Sequence, residues 1–267
     1  MLTVESHGDV QRLHWTTWRS RAVGYSVSTY AVRGTLIDSA FDGVGHELMA
    51  WIAANRPGGI LITHAHDDHG GNAERLARAG VPIQMSAATE RLLRTPQHRN
   101  LYRRWTWGPM PLLVAPIVPY VAPDLEMIAA PGHSPDHHVV WDAERETLFA
   151  ADLFLGVKVR VAHPVGREDV RQQVSTIRRV LALRPKRVFD AHKGLLRDGA
   201  ALLAAKADWI EETVGRIDAR IAEGWDDAAI VRDVFGGEVF LARTSQGDFS
   251  RANFVAVVRS THGAVTR

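Results

Sequence analysis

The stretch Thr63-His64-Ala65-His66-Asp67-Asp68-His69 sets three imidazoles and the Asp68 carboxylate within six positions, directly after the apolar run Ile60-Leu61-Ile62. Such crowding is costly unless a cation collects the group. At the His and Asp content of this chain, the pattern HxHxDH arises by chance in about one chain in five hundred. That rarity makes a metal cage the reading from which the rest of the fold is worked out.

In an extended segment, side chains at i and i+2 project to the same face, so His64 and His66 can converge on one ion just past a strand. On a helix they would diverge by about 200°. Gly70 and Gly71 then mark a bend into a helix, which sends Asp68 and His69 in another direction and points to a second ion beside the first. Donors from one strand-end loop need completion from elsewhere. His133 in Ala130-Pro131-Gly132-His133-Ser134-Pro135-Asp136-His137, Asp152 closing Phe149-Ala150-Ala151-Asp152, and His192 closing Val188-Phe189-Asp190-Ala191-His192 all stand at the exit of an apolar strand. Open α/β folds place their chemistry at such exits.

The flanking sequence supplies the layers. Residues 10–18 and 25–37 read as antiparallel strands punctuated by Gly24 and Gly34. Gly45 to Asn55 has helical apolar spacing, and a helix over 72–79 closed by Gly80 is followed by a strand over 81–85 and a helix over 87–94 capped by Ser86. Residues 96–123 break this alternation: prolines at 96, 109, 111, 116, 119 and 123 and the cluster Tyr102-Arg103-Arg104-Trp105-Thr106-Trp107 fit no regular element. This segment is expected to be an irregular substrate-cap loop. Strands are expected over 125–129, 139–141, 147–150 and 188–190, with an amphipathic helix from Asp169 to Leu183. From Ala200 the spacing is helical, broken at Gly224, with Asp226 or Asp227 capping a helix through Phe235 and a last helix around 250–258. Residues 1–199 thus read as a layered α/β catalytic domain and 200–267 as a helical segment packing on it.

Composition narrows the chemistry. With 267 residues, 46% of them hydrophobic, the chain can bury a full core. Lys plus Arg number 32 against 30 for Asp plus Glu, a near balance that argues against nucleic acid as the partner and leaves a small-molecule substrate as the expectation. No cysteine is present, so disulfides, thiolate metal sites and cysteine nucleophiles are excluded, and any metal must use nitrogen and oxygen. No basic leader runs into an apolar core, and no apolar stretch approaches a membrane span, so a soluble, cytoplasmic protein without a membrane partner is expected. Self-association into a homo-oligomer is left open.

The order HxHxDH, a His in a PGHS turn, an Asp after a strand and a late His resembles the metallo-β-lactamase-fold metallohydrolase superfamily over residues 10–195, and within it the dinuclear-zinc glyoxalase II-like and lactonase-like members. The resemblance implies a four-layer αβ/βα sandwich carrying two zinc ions per chain, with iron or manganese admissible in their place. It implies His64, His66 and His133 on one ion, Asp68, His69 and His192 on the other, and Asp152 bridging both. It further implies that Asp38 orients a ligand histidine and that His137 supports the site. The implied activity is hydrolysis of a small ester, thioester or lactone by a hydroxide shared between the ions, with Asp68 orienting it. The cysteine some true β-lactamases use is absent while Asp152 is present, which leans away from antibiotic hydrolysis. Phosphodiester cleavage in the manner of RNase Z-like relatives and iron-dependent sulfur dioxygenation are the alternatives. Lys193 and the group Arg103, Arg104, Trp105 and Trp107 could receive an anionic or aromatic part of the substrate; otherwise the tryptophans pack the cap on the core and the arginines face water. His7, His14, His46, His98, His138, His163 and His262 read as surface or satisfied core residues.

Overall fold

Adjacent residues of the short central strands enter different cores, which is why these strands read as unbroken apolar runs. Ile37 and Leu61 meet Val140, Phe149 and Phe189 in one buried layer. Their neighbours Leu36 and Ile60 pack outward with Leu48, Ile52 and Leu76, and Leu148 and Val188 pack outward on the opposite side with Ile177, Leu203 and Ile210. Two sheets face each other and helices cover both outer faces, giving the αβ/βα sandwich. The computed structural model describes residues 1–158 and 168–262. His163 and the last five residues of the expected helical segment lie outside the described residues.

The first sheet runs in sequence order through β1 (Leu2–His7), β2 (Val10–Trp15), β3 (Val27–Val32), β4 (Thr35–Ile37), β5 (Gly59–Leu61), β6 (Pro82–Gln84) and β7 (Val118–Pro119). Pairing is antiparallel up to β4 and parallel from β4 onward. The second sheet holds β8 (Glu126–Ala129), β9 (His138–Asp142), β10 (Thr147–Phe149), β11 (Arg187–Asp190) and β12 (Gly194–Leu195), in the order β12-β11-β10-β9-β8, with β10 and β11 parallel. The loops leaving β4, β5, β8, β10 and β11 gather at one edge of the sandwich. There Thr63 joins the sheets, its carbonyl accepting the N–H of His138 at 3.0 Å.

Helix Val170–Leu181, N-capped by Asp169, and helix Gly199–Ala222 cover the second sheet, followed by helices Asp227–Phe235, Phe240–Thr244 and Arg251–Thr261. Leu203, Ile210 and Ile217 are fully buried against this sheet, each burial contributing roughly 1.5–3 kcal/mol. The caps read from sequence are in place: Ser86 accepts from the N–H of Thr89, and Asp226 from that of Ala229. Among the described residues no helix is long and apolar enough to cross a membrane.

Three elements differ from expectation. Leu2–His7 forms an additional edge strand paired with β2. The β2 run ends at Trp15 because Thr17 and Ser20 form a reciprocal capping box that starts helix Trp18–Ala22. Most consequentially, residues 96–123 are not irregular throughout: Leu101–Trp107 is a helix entered at Asn100 and ended by Gly108 at φ +90°, and β7 pairs with β6, while the stretches between stay irregular. A helix this short is held by tertiary contacts rather than propensity. The contacts are long-range: Arg103 pairs with Asp67 and Asp248, and Asn100 donates to Asp248 at 2.6 Å.

Candidate metal centre

Past β5 the chain stays extended through His66, then enters a single helical turn, Asp67–Gly70. The turn packs so closely on the loop after β4 that a Cβ at Gly71 would lie 2.2 Å from the Asp67 carbonyl and 2.9 Å from that of Ala40. Glycine is required there for steric reasons. Asp38 and Ala40, at the exit of β4, and Ala151 and Leu155, on either side of Asp152 past the β10 exit, all hold positive φ. Strain of this kind persists only where surrounding structure enforces it, and it collects at functional edges.

The seven donors read from sequence meet here in two groups, His64, His66, His133 and Asp152 in one and Asp68, His69 and His192 in the other. His66 Nδ1 lies 3.0 Å from both His64 Nε2 and His133 Nε2. Asp152 stands between the groups. Its Oδ2 is 3.2 Å from His133 Nε2 and 3.8 Å from His64 Nε2, while its Oδ1 is 3.1 Å from both His69 Nε2 and His192 Nε2. Asp68 Oδ2 is 3.6 Å from His192 Nε2.

Each inner atom is aimed by a contact behind it. His69 Nδ1 lies 2.7 Å from Asp38 Oδ2, and Asp38 also accepts from the backbone and hydroxyl of Thr63. His192 donates Nδ1–H to the Ser26 carbonyl at 2.6 Å, which leaves its Nε2 as the inward lone pair when neutral. His137 donates Nδ1–H to the Ala130 carbonyl and accepts the Asp152 N–H through Nε2. Burial, aided by the His133 charge, pushes the His137 imidazole down to about 3, so it stays neutral and fixes the Asp152 backbone.

Electrostatics indicate what the cluster suits. Burial opposes charging His133 and His192, yet Asp152 outweighs it, joined by Glu168 for His133 and by Asp68 and Asp190 for His192, and both are pushed up to about 9. Burial also opposes ionising Asp152, but the neighbouring His69 and His192 charges hold it well below the usual carboxylate range. His64, buried among other imidazoles, is pushed well down. His69 Nε2 and Asp152 Oδ1 are buried and, although 3.1 Å apart, are not aligned for a hydrogen bond with each other or with any other group among the described residues. Inward-facing orphan nitrogen and oxygen atoms, in a set of imidazoles and carboxylates, suit divalent cations of the zinc type.

A cavity of about 390 Å³ opens onto both groups, walled by Tyr25, Tyr102, Trp107 and Phe249, with Lys193 and Lys158 also lining it. Arg103 reaches this wall but is tied to Asp67 and Asp248. Arg104 and Trp105 do not reach it: Arg104 is exposed and Trp105 packs edge-on against Trp18 at 5.7 Å. On a helix, residues 103 and 107 share one face and 104 and 105 turn away, a separation that reading the segment as a loop conceals. His138 donates to the Asp136 carbonyl and His262 pairs with Asp218; these and His7, His14, His46 and His98 lie outside the cluster.

Several residues of the site escape a reading of the sequence. Asp190 accepts from the N–H groups of His192 and Lys193 through one oxygen and from Leu155 through the other, so one buried carboxylate ties the two donor loops together. Its position two before His192 is the signal that could have shown it, since Asp commonly caps the backbone two residues on. Lys206, fully buried on helix Gly199–Ala222, donates to the carbonyls of Leu153 and Phe154 just past Asp152. Asp67 clamps Arg99 and Arg103. Tyr25, Asp248 and Phe249 reach the cavity from distant sequence, with no local signal.

Residues 23–192 match the Metallo-beta-lactamase superfamily. This protein therefore belongs to that superfamily. It is 26% identical over 152 residues to the probable metallo-hydrolase YybB of Bacillus subtilis (strain 168), covering 55% of this chain and 69% of that protein. It is 31% identical over 68 residues to the beta-lactamase-like protein 2 homolog of Caenorhabditis elegans, covering 26% of this chain and 21% of that protein. Among solved structures, the metallo-beta-lactamase family protein TTHA1429 from Thermus thermophilus superposes with a TM-score of 0.65 at 15% identity over 94% of each chain. DIM-1 metallo-beta-lactamase superposes with a TM-score of 0.60 at 17% identity, over 79% of this chain and 97% of its own. At these identities the structural likeness is one of fold.

Proposed function

We propose that the protein is a hydrolase that holds two divalent cations, zinc by the donor set, and cleaves a small ester, thioester or lactone. The observation that carries this reading is the division of Asp152, whose two carboxylate oxygens face different donor groups. The similarity to a probable metallo-hydrolase supports the same class. In this reading His64, His66 and His133 hold one ion, and Asp68, His69 and His192 the other, with Asp152 between them. Bound there, a cation pair would bring water into a reactive state at neutral pH and polarise the bond to be cleaved.

The residues of the chain do the rest. Asp68 fixes one side of the His192 group and orients the attacking water towards the cavity. Asp38, Ser26 and His137 hold donors and backbone in place, so little reorganisation accompanies reaction. The cavity volume suits a small molecule. Its aromatic wall receives the apolar part of the substrate. Because Arg103 is already paired, Lys193 is the better placed cation to meet a negative group on it.

Metal content of the purified protein, measured with hydrolysis of a panel of p-nitrophenyl esters, thioesters and lactones, tests the proposal. Two zinc ions per chain and chelator-sensitive cleavage of one of these classes are expected. A fully loaded protein inactive on the whole panel would refute it, and a clear preference for bis(p-nitrophenyl) phosphate would replace it with phosphodiester cleavage.

A further inference from the structure

A second cavity, of about 620 Å³, also borders His66. His66 and Arg103 line both cavities, so the two are neighbouring chambers that share these two side chains. The second chamber is lined by three arginines, each carrying a guanidinium group. That of Arg91 has no hydrogen-bond or ion-pair partner among the described residues. Arg99 donates Nη1 to the Gly108 carbonyl and holds Nε 2.5 Å from Asp67 Oδ1, which leaves Nη2 buried with no acceptor. Arg103 shares the same Asp67 at 3.3 Å and is balanced on its far side by Asp248. The other carboxylate of the wall, Asp136, accepts from the Ala65 N–H and the Ser134 and Thr89 hydroxyls, so it does not engage the arginines.

A buried guanidinium donor without an acceptor is costly, and two arginines with unused donors lining one chamber call for an acceptor from outside. We infer that this chamber is a subsite for an anionic group, a phosphoryl or a carboxylate, which planar guanidinia grip through paired hydrogen bonds. Such a group would belong to a substrate or product that straddles His66, its reacting bond at the cluster and its apolar part against Tyr25 and Phe249. The word substrate here rests on the hydrolase reading; the anion subsite itself rests on the arginines.

Calorimetric titration of the purified protein with inorganic phosphate and, separately, with succinate, at constant ionic strength, tests the subsite. One of the two is expected to bind saturably, and which one distinguishes a phosphoryl from a carboxylate ligand. Arg91→Glu and Arg99→Gln are each expected to weaken that binding at least tenfold. Arg91 is exposed and unpaired, so its variant should fold even where that of Arg99 does not. An anion held by the donor cluster alone would bind both variants as it binds the parent, and that outcome, or no saturable binding of either probe, overturns the inference. A protein that hydrolyses neutral esters but binds neither anion loses the subsite and keeps the hydrolase; one that binds an anion through Arg91 yet cleaves nothing does the reverse.

Discussion

Asp190 Oδ1 accepts the backbone N–H of His192 at 2.8 Å, and the other oxygen of the same carboxylate accepts that of Leu155 at 3.0 Å, three residues past Asp152. One buried side chain thus sets the spacing between two of the loops that carry donors. Asp190→Asn keeps the shape but turns one oxygen into a donor facing an N–H. The expected outcome is a loss of about 2 kcal/mol in stability and a roughly 10- to 100-fold weaker hold on metal, the His192 group losing its ion first. Denaturant melts and metal content by mass spectrometry check this, and parent-like values in both would deny Asp190 a positioning role.

Asp38 bears on His69 in a similar way, 2.7 Å from its Nδ1. Asp38→Asn removes the charge that helps hold the imidazole and is expected to lower metal affinity roughly 10- to 100-fold. Competition with a chromogenic chelator measures it; an unchanged affinity would mean that Thr63 alone fixes the ring.

Lys206 gives a pH signature. Burial pushes its ammonium down to about 8 from an ordinary 10.5. Between these values the unfolded chain keeps a proton that the folded protein has released, so this residue makes stability rise with pH across the window, by about 3 kcal/mol in all. Below pH 8 the cost of burying the charge is present in full. Lys206→Met should lack the rise. Unfolding midpoints at pH 7.5 and 10 for both proteins should therefore diverge, and parallel pH profiles would contradict the assignment.

The two tryptophans of helix Leu101–Trp107 should behave differently. Trp107 is buried, with its ring 4.9 Å from that of Phe41 and 5.8 Å from that of Tyr25, whereas Trp105 is 40% exposed. Trp107→Ala is expected to cost about 3–5 kcal/mol and Trp105→Ala about 1 kcal/mol or less, read by thermal melts. Equal losses would mean that the helix is not seated as described.

Much of the fold can be read from sequence because its signals are local. Ser86 and Asp226 announce helix starts within three residues, and HxHxDH announces a turn between strand and helix. Ile37, Leu61 and Phe189 announce burial, but not against which layer, since a strand covered on both faces has no alternation to read. Helix Leu101–Trp107 is illegible because its stabilising partners, Asp67 and Asp248, lie 36 and 145 residues from Arg103. The candidate cluster shows the same division. Its seven donors carry distinctive chemistry at strand exits, while Lys206 and Phe249 are ordinary helix and loop residues until the chain closes around them.

The split of Asp152 between His133 and His192 has a consequence for how the centre fills. The rotamer that presents one oxygen to the first group presents the other oxygen to the second, so in the proposed two-cation centre a first ion would freeze the arm that a second needs and lower the entropy cost of its capture. Under that proposal, occupancy of the two halves is expected to be cooperative. A zinc titration of the stripped protein should rise in one steep step, and a half-filled species should be scarce at every ratio of metal to chain; two well-separated steps would show that the halves load independently.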